Sequence, residues 1–244
     1  RFLTLVIFLL GSAFNSAQAD TSEPIKLTYE QAEERSNFIA SVRKARQGDS
    51  AEQWQVGLTY TRLGDYAHAV PMLRSAADQG HVQAAELLGW SYENGLGTEK
   101  SLGEARRWYL FASSQGEAGA TAALGRLLLK EKGPDGRKEA WQQFEIAARM
   151  NNSDAQYFLG WMLTQDIEQP QDNALAYDWF LKAAHQGHVG AQLAVATHLL
   201  KGLGVAADAK AAREWLVRAA EKKNPVANYM LGRLYAGAEK EERE

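Results

Sequence analysis

The sequence has no cysteine, only five proline and five histidine residues in 244, and no marked excess of either charge, with 27 basic against 30 acidic side chains. Each shortage removes a class of explanation. Without cysteine there can be no disulfide, no thiolate metal site, no cysteine nucleophile and no lipidated cysteine of the bacterial lipoprotein kind. So few histidines and prolines leave little for metal chemistry or for a Pro-rich linker. A net charge of −3 argues against general nucleic-acid binding, because neutralising phosphates requires a surplus of Lys and Arg. No apolar run approaches the ~20 residues needed to cross a bilayer. With no covalent staple, stability must come from core packing, for which the length is ample.

The most apolar stretch is at the start. Arg1 precedes Phe2–Leu10, interrupted only by Thr4, and small and polar residues then lead to Ala17-Gln18-Ala19 before Asp20. A charged start, a short apolar segment and a small-x-small site together read as a secretory signal peptide over 1–19. Cleavage is expected near Ala19-Asp20, giving a periplasmic or secreted protein with no stable membrane anchor. The competing reading is a buried N-terminal strand.

Beyond the leader the chain is periodic. Leu88-Gly89, Leu124-Gly125, Leu159-Gly160 and Leu231-Gly232 recur, Val195-Ala196 fills the vacant slot, and the steps from Gly89 are 36, 35, 36 and 36 residues. Val56-Gly57 extends the series backwards. An Ala stands five residues before each slot from Gly89 onward (Ala84, Ala120, Ala155, Ala191, Ala227), and a large residue three after (Tyr60, Tyr92, Leu128, Leu163, Leu199, Tyr235). Further on come aromatic-rich stretches ending in small pairs, such as Trp108-Tyr109…Ala112-Ser113 and Trp179-Phe180…Ala183-Ala184. Three residues past each pair lies Gly80, Gly116, Asn151, Gly187 or Lys223, where a helix stops. Ala105, Trp108, Tyr109 and Ala112 follow the i, i+3, i+4, i+7 spacing of an amphipathic helix. Two helices of about a dozen residues and two turns account for each period. Recurrent Gly inside a helix, which costs about 1 kcal/mol relative to Ala, indicates close helix approach.

These units resemble the Sel1-like repeat family, a longer-looped relative of tetratricopeptide repeats. The clearest runs Ala84-x4-Gly89-x2-Tyr92-x2-Gly95-x-Gly97…Ala105-x2-Trp108-Tyr109-x2-Ala112, and the unit from Ala191 keeps Gly202-x-Gly204-Val205-x2-Asp208. The loops at 132–137 and 165–173 lack the Gly-x-Gly, and the first unit is short. Some secreted relatives pair cysteines within each repeat, which this chain cannot do. The resemblance implies an all-α, right-handed α/α solenoid of about five to six helix pairs over 48–237. Its units fall at about 48–79, 80–115, 116–150, 151–186 and 187–222, with a partial unit at 223–237. Residues 20–47, with Thr28 and Gln31 in capping-box positions, are expected to form an N-terminal capping helix. Residues 238–244 read as a charged tail.

No catalytic constellation has specific spacing. His185-Gln186-Gly187-His188 repeats the turn Asp78-Gln79-Gly80-His81, so it reads as junction chemistry and not a metal site. Gly95–Lys100 lacks Gly-Lys-Ser/Thr and follows a helix, so it is not read as a phosphate loop. No cofactor and no metal are expected.

Analogy with tetratricopeptide repeats places the first helix of each unit along a concave groove. The residues just after each slot and three before it would line that groove. From these the candidate partner-binding set is Trp54, Trp90, Arg126, Tyr157, Trp161, Tyr229 and Arg233, residue types that dominate interface hot spots. Arg126 could clamp a carboxylate. Against this stands plain packing, since aromatics at helical spacing commonly belong to a core; Trp108, Trp179 and Trp215 are read that way.

The expectation is an exported, noncatalytic scaffold that binds a peptide or protein segment, with another envelope protein as partner, in envelope regulation or assembly. Relatives implied by the resemblance include sensor-kinase inhibitors, exopolysaccharide-export scaffolds and flagellar motor components. The alternative is a cell-wall-associated hydrolase or peptidoglycan-fragment-binding protein. It is disfavoured because no Ser-x-x-Lys is accompanied by Lys-Thr-Gly.

Overall fold

A computed structural model describes residues 29–165 and 172–241. The leader, the Thr28 cap and most of the loop before Asn173 lie outside the described residues. Among the described residues twelve α-helices run in order: α1 (Tyr29–Arg46), α2 (Ser50–Arg62), α3 (Tyr66–Asp78), α4 (Val82–Asn94), α5 (Leu102–Ser114), α6 (Ala118–Lys132), α7 (Arg137–Arg149), α8 (Ser153–Thr164), α9 (Asn173–His185), α10 (Val189–Lys201), α11 (Ala209–Glu221) and α12 (Pro225–Glu241). A short 3-10 turn, Gly133–Gly136, joins α6 to α7. The described residues contain no strand. The chain divides into two compact units, α1–α5 and α6–α12.

In both units consecutive helices pair in the order the repeat implies: α2 with α3 and α4 with α5 in the first, α6 with α7, α8 with α9 and α10 with α11 in the second. The first helix of each pair is called A below, the second B. Helix starts are set by side-chain caps. Asp49, Asp65, His81, Ser101, Asn152, Asp172, His188 and Asp208 each accept a hydrogen bond from the backbone N–H three residues on. Helix stops are set at the junctions. Gly80, Gly116 and Gly187 take positive φ, and Asn151 and Lys223 adopt the same left-handed conformation without being glycine. There His81, Asn152 and His188 donate their N–H back to the carbonyls of Ala76, Ala147 and Ala183, closing the turn.

The recurring slot glycine is a socket for the partner helix. At Gly57, Gly89, Gly125 and Gly160 the nearest side-chain carbon of Leu73, Tyr109, Phe144 and Phe180, respectively, lies 2.7–2.8 Å from where a Cβ would stand. Any larger residue would collide with that side chain. Every B helix presents the same triad, Ala-x3-(Leu/Tyr/Phe)-x2-Ala: Ala69/Leu73/Ala76, Ala105/Tyr109/Ala112, Ala140/Phe144/Ala147, Ala176/Phe180/Ala183 and Ala212/Leu216/Ala219. All fifteen side chains are buried. Each large residue contributes about 1.5–3 kcal/mol by leaving water. The small flanking residues let the two helix backbones approach.

The Gly-x-Gly loops perform a second packing task. A Cβ on Gly97 would overlap the backbone of Tyr66 at the start of α3, and one on Gly204 would overlap Asn173 and Ala174 at the start of α9. Each loop thus fastens an A helix to the previous B helix, which accounts for the motif without a phosphate. Helix α12 continues to Glu241, into the segment read from sequence as a tail.

Candidate protein-binding faces

The sequence-chosen residues fall in both units and are described unit by unit. In the first, Trp54 on α2 is half-buried and stacks on the imidazole of His81, ring centroids 5.2 Å apart. Trp90 on α4 is half-buried and lies 6.0 Å from the Tyr66 ring. Both expose part of the indole while the remainder meets a ring of another element, the cap of α4 for Trp54 and the start of α3 for Trp90.

In the second unit, Tyr157 on α8 repeats the Trp54 arrangement. Its ring stacks on His188 at 4.6 Å and also meets Phe158 and Phe180. Trp161 is half-buried against Phe158 and the aliphatic core. Arg126 on α6 sits in the electrostatic neighbourhood of Asp154, whose carboxylate pairs with His188 Nε2 at 3.3 Å. The hydrogen bond from His188, helped by the positive charge of Arg126, holds the Asp154 carboxyl below the usual carboxylate range against the opposing effect of burial.

Tyr229 and Arg233 are brought together one helical turn apart on α12. With Met230 and Leu234 they face Thr197, Leu200 and Lys201 of α10 across a cavity of about 320 Å³. Tyr229 is 66% exposed. Leu200, Met230 and Leu234 supply an apolar lining, while Lys201 and Arg233 supply two cations and no acidic side chain joins them. Thr197 is already engaged, its hydroxyl donating to the Leu193 carbonyl at 2.9 Å. The cleft therefore suits an apolar side chain flanked by a carboxylate.

Two recurring polar features have roles that the sequence reading did not supply. Gln53, Gln156 and Gln192, each four residues before a slot, are buried and donate to the carbonyls of Ala45, Ala148 and Ala184 in the preceding helix. The oxygens of Gln53 and Gln156 accept from the junction residues Gln79 and Gln186. Gln192 has Lys222 at the corresponding junction position, and its side-chain oxygen is buried without a partner. The signal was the Gln recurring in phase with the slot. The second feature is the histidine cap: Nδ1 of His81 and of His188 accepts from Ala84 and Ala191, which requires the neutral ring. Burial pushes the His81 pKa down, partly offset by a backbone hydrogen bond. Among the described residues no group of three or more His, Asp or Glu side chains could hold a metal ion, and no helix is long and apolar enough to cross a membrane.

The pairing, sockets and junctions define a helix-pair repeat protein of the tetratricopeptide-like kind. The family model for the Sel1 repeat matches residues 55–81, 82–117, 153–188 and 189–224, more than half of the chain, which belongs to the Sel1 repeat family. The pair α6–α7 falls between the matched segments, yet it has the same socket, Gly125 against Phe144. Among solved structures, the chain is similar to a Sel1 repeat protein from Oxalobacter formigenes, with 30% identity, TM-score 0.67, and coverage of 81% of this chain and 58% of that one. It is also similar to c5321, a protective antigen of uropathogenic Escherichia coli with the same repeat fold, at 27% identity, TM-score 0.64, and coverage of 80% and 43%. A curated relative, chitin synthase regulatory factor 3 of Schizosaccharomyces pombe, is 34% identical over 122 residues, 48% of this chain and 13% of that protein. The chain thus spans only part of the length of these relatives. Sel1 repeats generally mediate protein–protein interaction and are generally noncatalytic scaffolds.

Proposed function

We propose that this protein is an exported, noncatalytic scaffold that binds a segment of another envelope protein, in envelope regulation or assembly, and that the cleft between α10 and α12 is a principal contact. The observation that carries this reading is the cleft itself, where Tyr229, Lys201 and Arg233 surround an apolar lining and no described residue forms an ion pair with either cation. A segment with an aliphatic or aromatic side chain beside Asp, Glu or a terminal carboxylate would satisfy both. The half-buried rings of Trp54, Trp90, Tyr157 and Trp161, together with Arg126, offer further contact area along the A helices of their respective units. Export rests on the signal-like segment over 1–19.

The test is a photocrosslinking residue at position 229 in living cells, followed by mass spectrometry. A dominant crosslink to an acidic segment of an envelope protein is expected. The double change Lys201→Glu and Arg233→Glu should lower its yield about tenfold, as charge reversal at a contact does. An unchanged yield would remove the cleft from the interface. A mature protein that retains residues 1–19 would contradict export.

A further inference from the structure

Asn94, the last residue of α4, is exposed, and it is the one Asn in the sequence that precedes a Gly. Its side-chain Cγ is an electrophile within reach of the Gly95 backbone nitrogen, and attack by that nitrogen closes a five-membered ring. Gly95 has no Cβ to shield its nitrogen or to bar the close approach. After every other described Asn the next residue is bulkier or, in Asn224-Pro225, has no N–H.

The turn needs the glycine but not the asparagine. Gly95 takes φ 70° and ψ 37°, in the left-handed region, and a Cβ there would stand 3.2 Å from the Lys100 Cβ. The second Gly-x-Gly loop has the same geometry at Gly202, φ 66° and ψ 34°, with Lys201 in place of the asparagine. In the native turn both reacting groups are engaged. The Gly95 N–H donates to the Ser91 carbonyl, and Asn94 Nδ2 donates to the Trp90 carbonyl at 2.8 Å. Breaking these two hydrogen bonds frays only the last turn of α4, an opening far less costly than unfolding the chain.

We infer that Asn94 is a deamidation site of the folded protein, one that the last turn of α4 slows but does not close. The Gly95 nitrogen bonds to Asn94 Cγ, its proton passes through water to the side-chain amide, the Cγ–Nδ2 bond breaks and ammonia leaves. Water then opens the cyclic imide at either carbonyl, giving aspartate, or isoaspartate with the main chain routed through Cβ. Both products put a carboxylate at the C-terminus of α4, where the helix dipole disfavours it. Isoaspartate also lengthens the backbone path into the loop whose Gly97 lies against the Tyr66 backbone. Tyr66 is the ring beside Trp90, so the modification falls next to a candidate contact of the first unit. The reaction needs no partner and holds or fails independently of the proposed binding.

The test incubates the full chain in mildly alkaline buffer, folded or unfolded in urea, and follows aspartate and isoaspartate at each Asn by peptide mapping and mass spectrometry. Product is expected first at position 94, formed about tenfold to a hundredfold more slowly in the folded chain than in urea, as local fraying predicts. Asn94→Lys, the residue of the second loop, should remove that product and leave helical content by circular dichroism unchanged. Three outcomes would overturn the inference. Another Asn could react before Asn94. The folded and unfolded rates could be equal, so that the turn gives no protection. The folded rate could instead be slower by about ten-thousandfold or more, the factor that global unfolding imposes, so that the native protein is not the substrate.

Discussion

Helices α8 and α12 start from nearly the same sequence and meet different fates. Each has an Ala five residues before a Leu-Gly slot, a Tyr three before it and a large residue three after it. In α8 the slot receives Phe180, whose ring lies 2.8 Å from a Cβ built on Gly160. In α12 the slot is open, and Tyr235 is half exposed. A repeat motif therefore encodes a surface able to be buried. Burial itself is conferred by the next helix, which is why each unit of such a chain is too small to fold alone.

The comparison can be broken most directly by truncation. Phe180→Ala should destabilise the protein by about 3–5 kcal/mol, the usual result of emptying a filled aromatic site in a core that relaxes only in part. Tyr235→Ala should change stability by less than about 1 kcal/mol, as at most surface positions. Urea denaturation of both variants decides it; comparable losses would mean that α12 is covered as α8 is.

A smaller effect should separate two buried glutamines. Gln156 donates to Ala148 and accepts from Gln186, so Gln156→Ala removes two hydrogen bonds of a buried side chain and should cost about 1–3 kcal/mol. Gln192→Ala should cost less, because its oxygen already lacks a partner. The reverse order in the same denaturation assay would show that the junction glutamine plays no part.

The smallest difference is one of pH, between the histidine cap of α4 and the asparagine cap of α8. Burial lowers the His81 pKa below its ordinary 6.5, so the unfolded chain binds the proton more readily than the folded one. The stability this ring contributes is complete above that ordinary value and is lost as pH falls through the lower, folded value. Asn152, which accepts from Ala155 at 2.9 Å, does not titrate. Wild type should therefore lose more stability than His81→Asn between about pH 7.5 and about pH 5.5, a window set by the histidine pKa. Asp154, whose depressed pKa makes its contribution vanish only at far lower pH, does not interfere in that window. Parallel pH profiles would show that His81 is not the titrating cap.

Much of the architecture could be read in advance because it is local and repeated. The slot spacing, the Ala pairs and the junction residues each impose a backbone or packing constraint within one period, and five copies make the phase unambiguous. Trp108 and Trp215 were read as packing and are buried. The candidate binding set was legible only as positions. Spacing placed Tyr229 and Arg233 on one turn, but not the apolar lining from α10 or the second cation, Lys201. Trp54 and Tyr157 were chosen by the same rule, yet their cover by His81 and His188 depends on how a later helix starts.

The sequence by itself determined the all-α class, the period and the face of each helix that seeks a partner, because helical periodicity and the steric demands of Gly and Ala act within a few residues. Only the tertiary structure decided which of those faces are filled. Burial depends on contacts 16–20 residues away across a helix pair, as between Gly57 and Leu73 or Gly160 and Phe180, and at Gly232 no described side chain arrives.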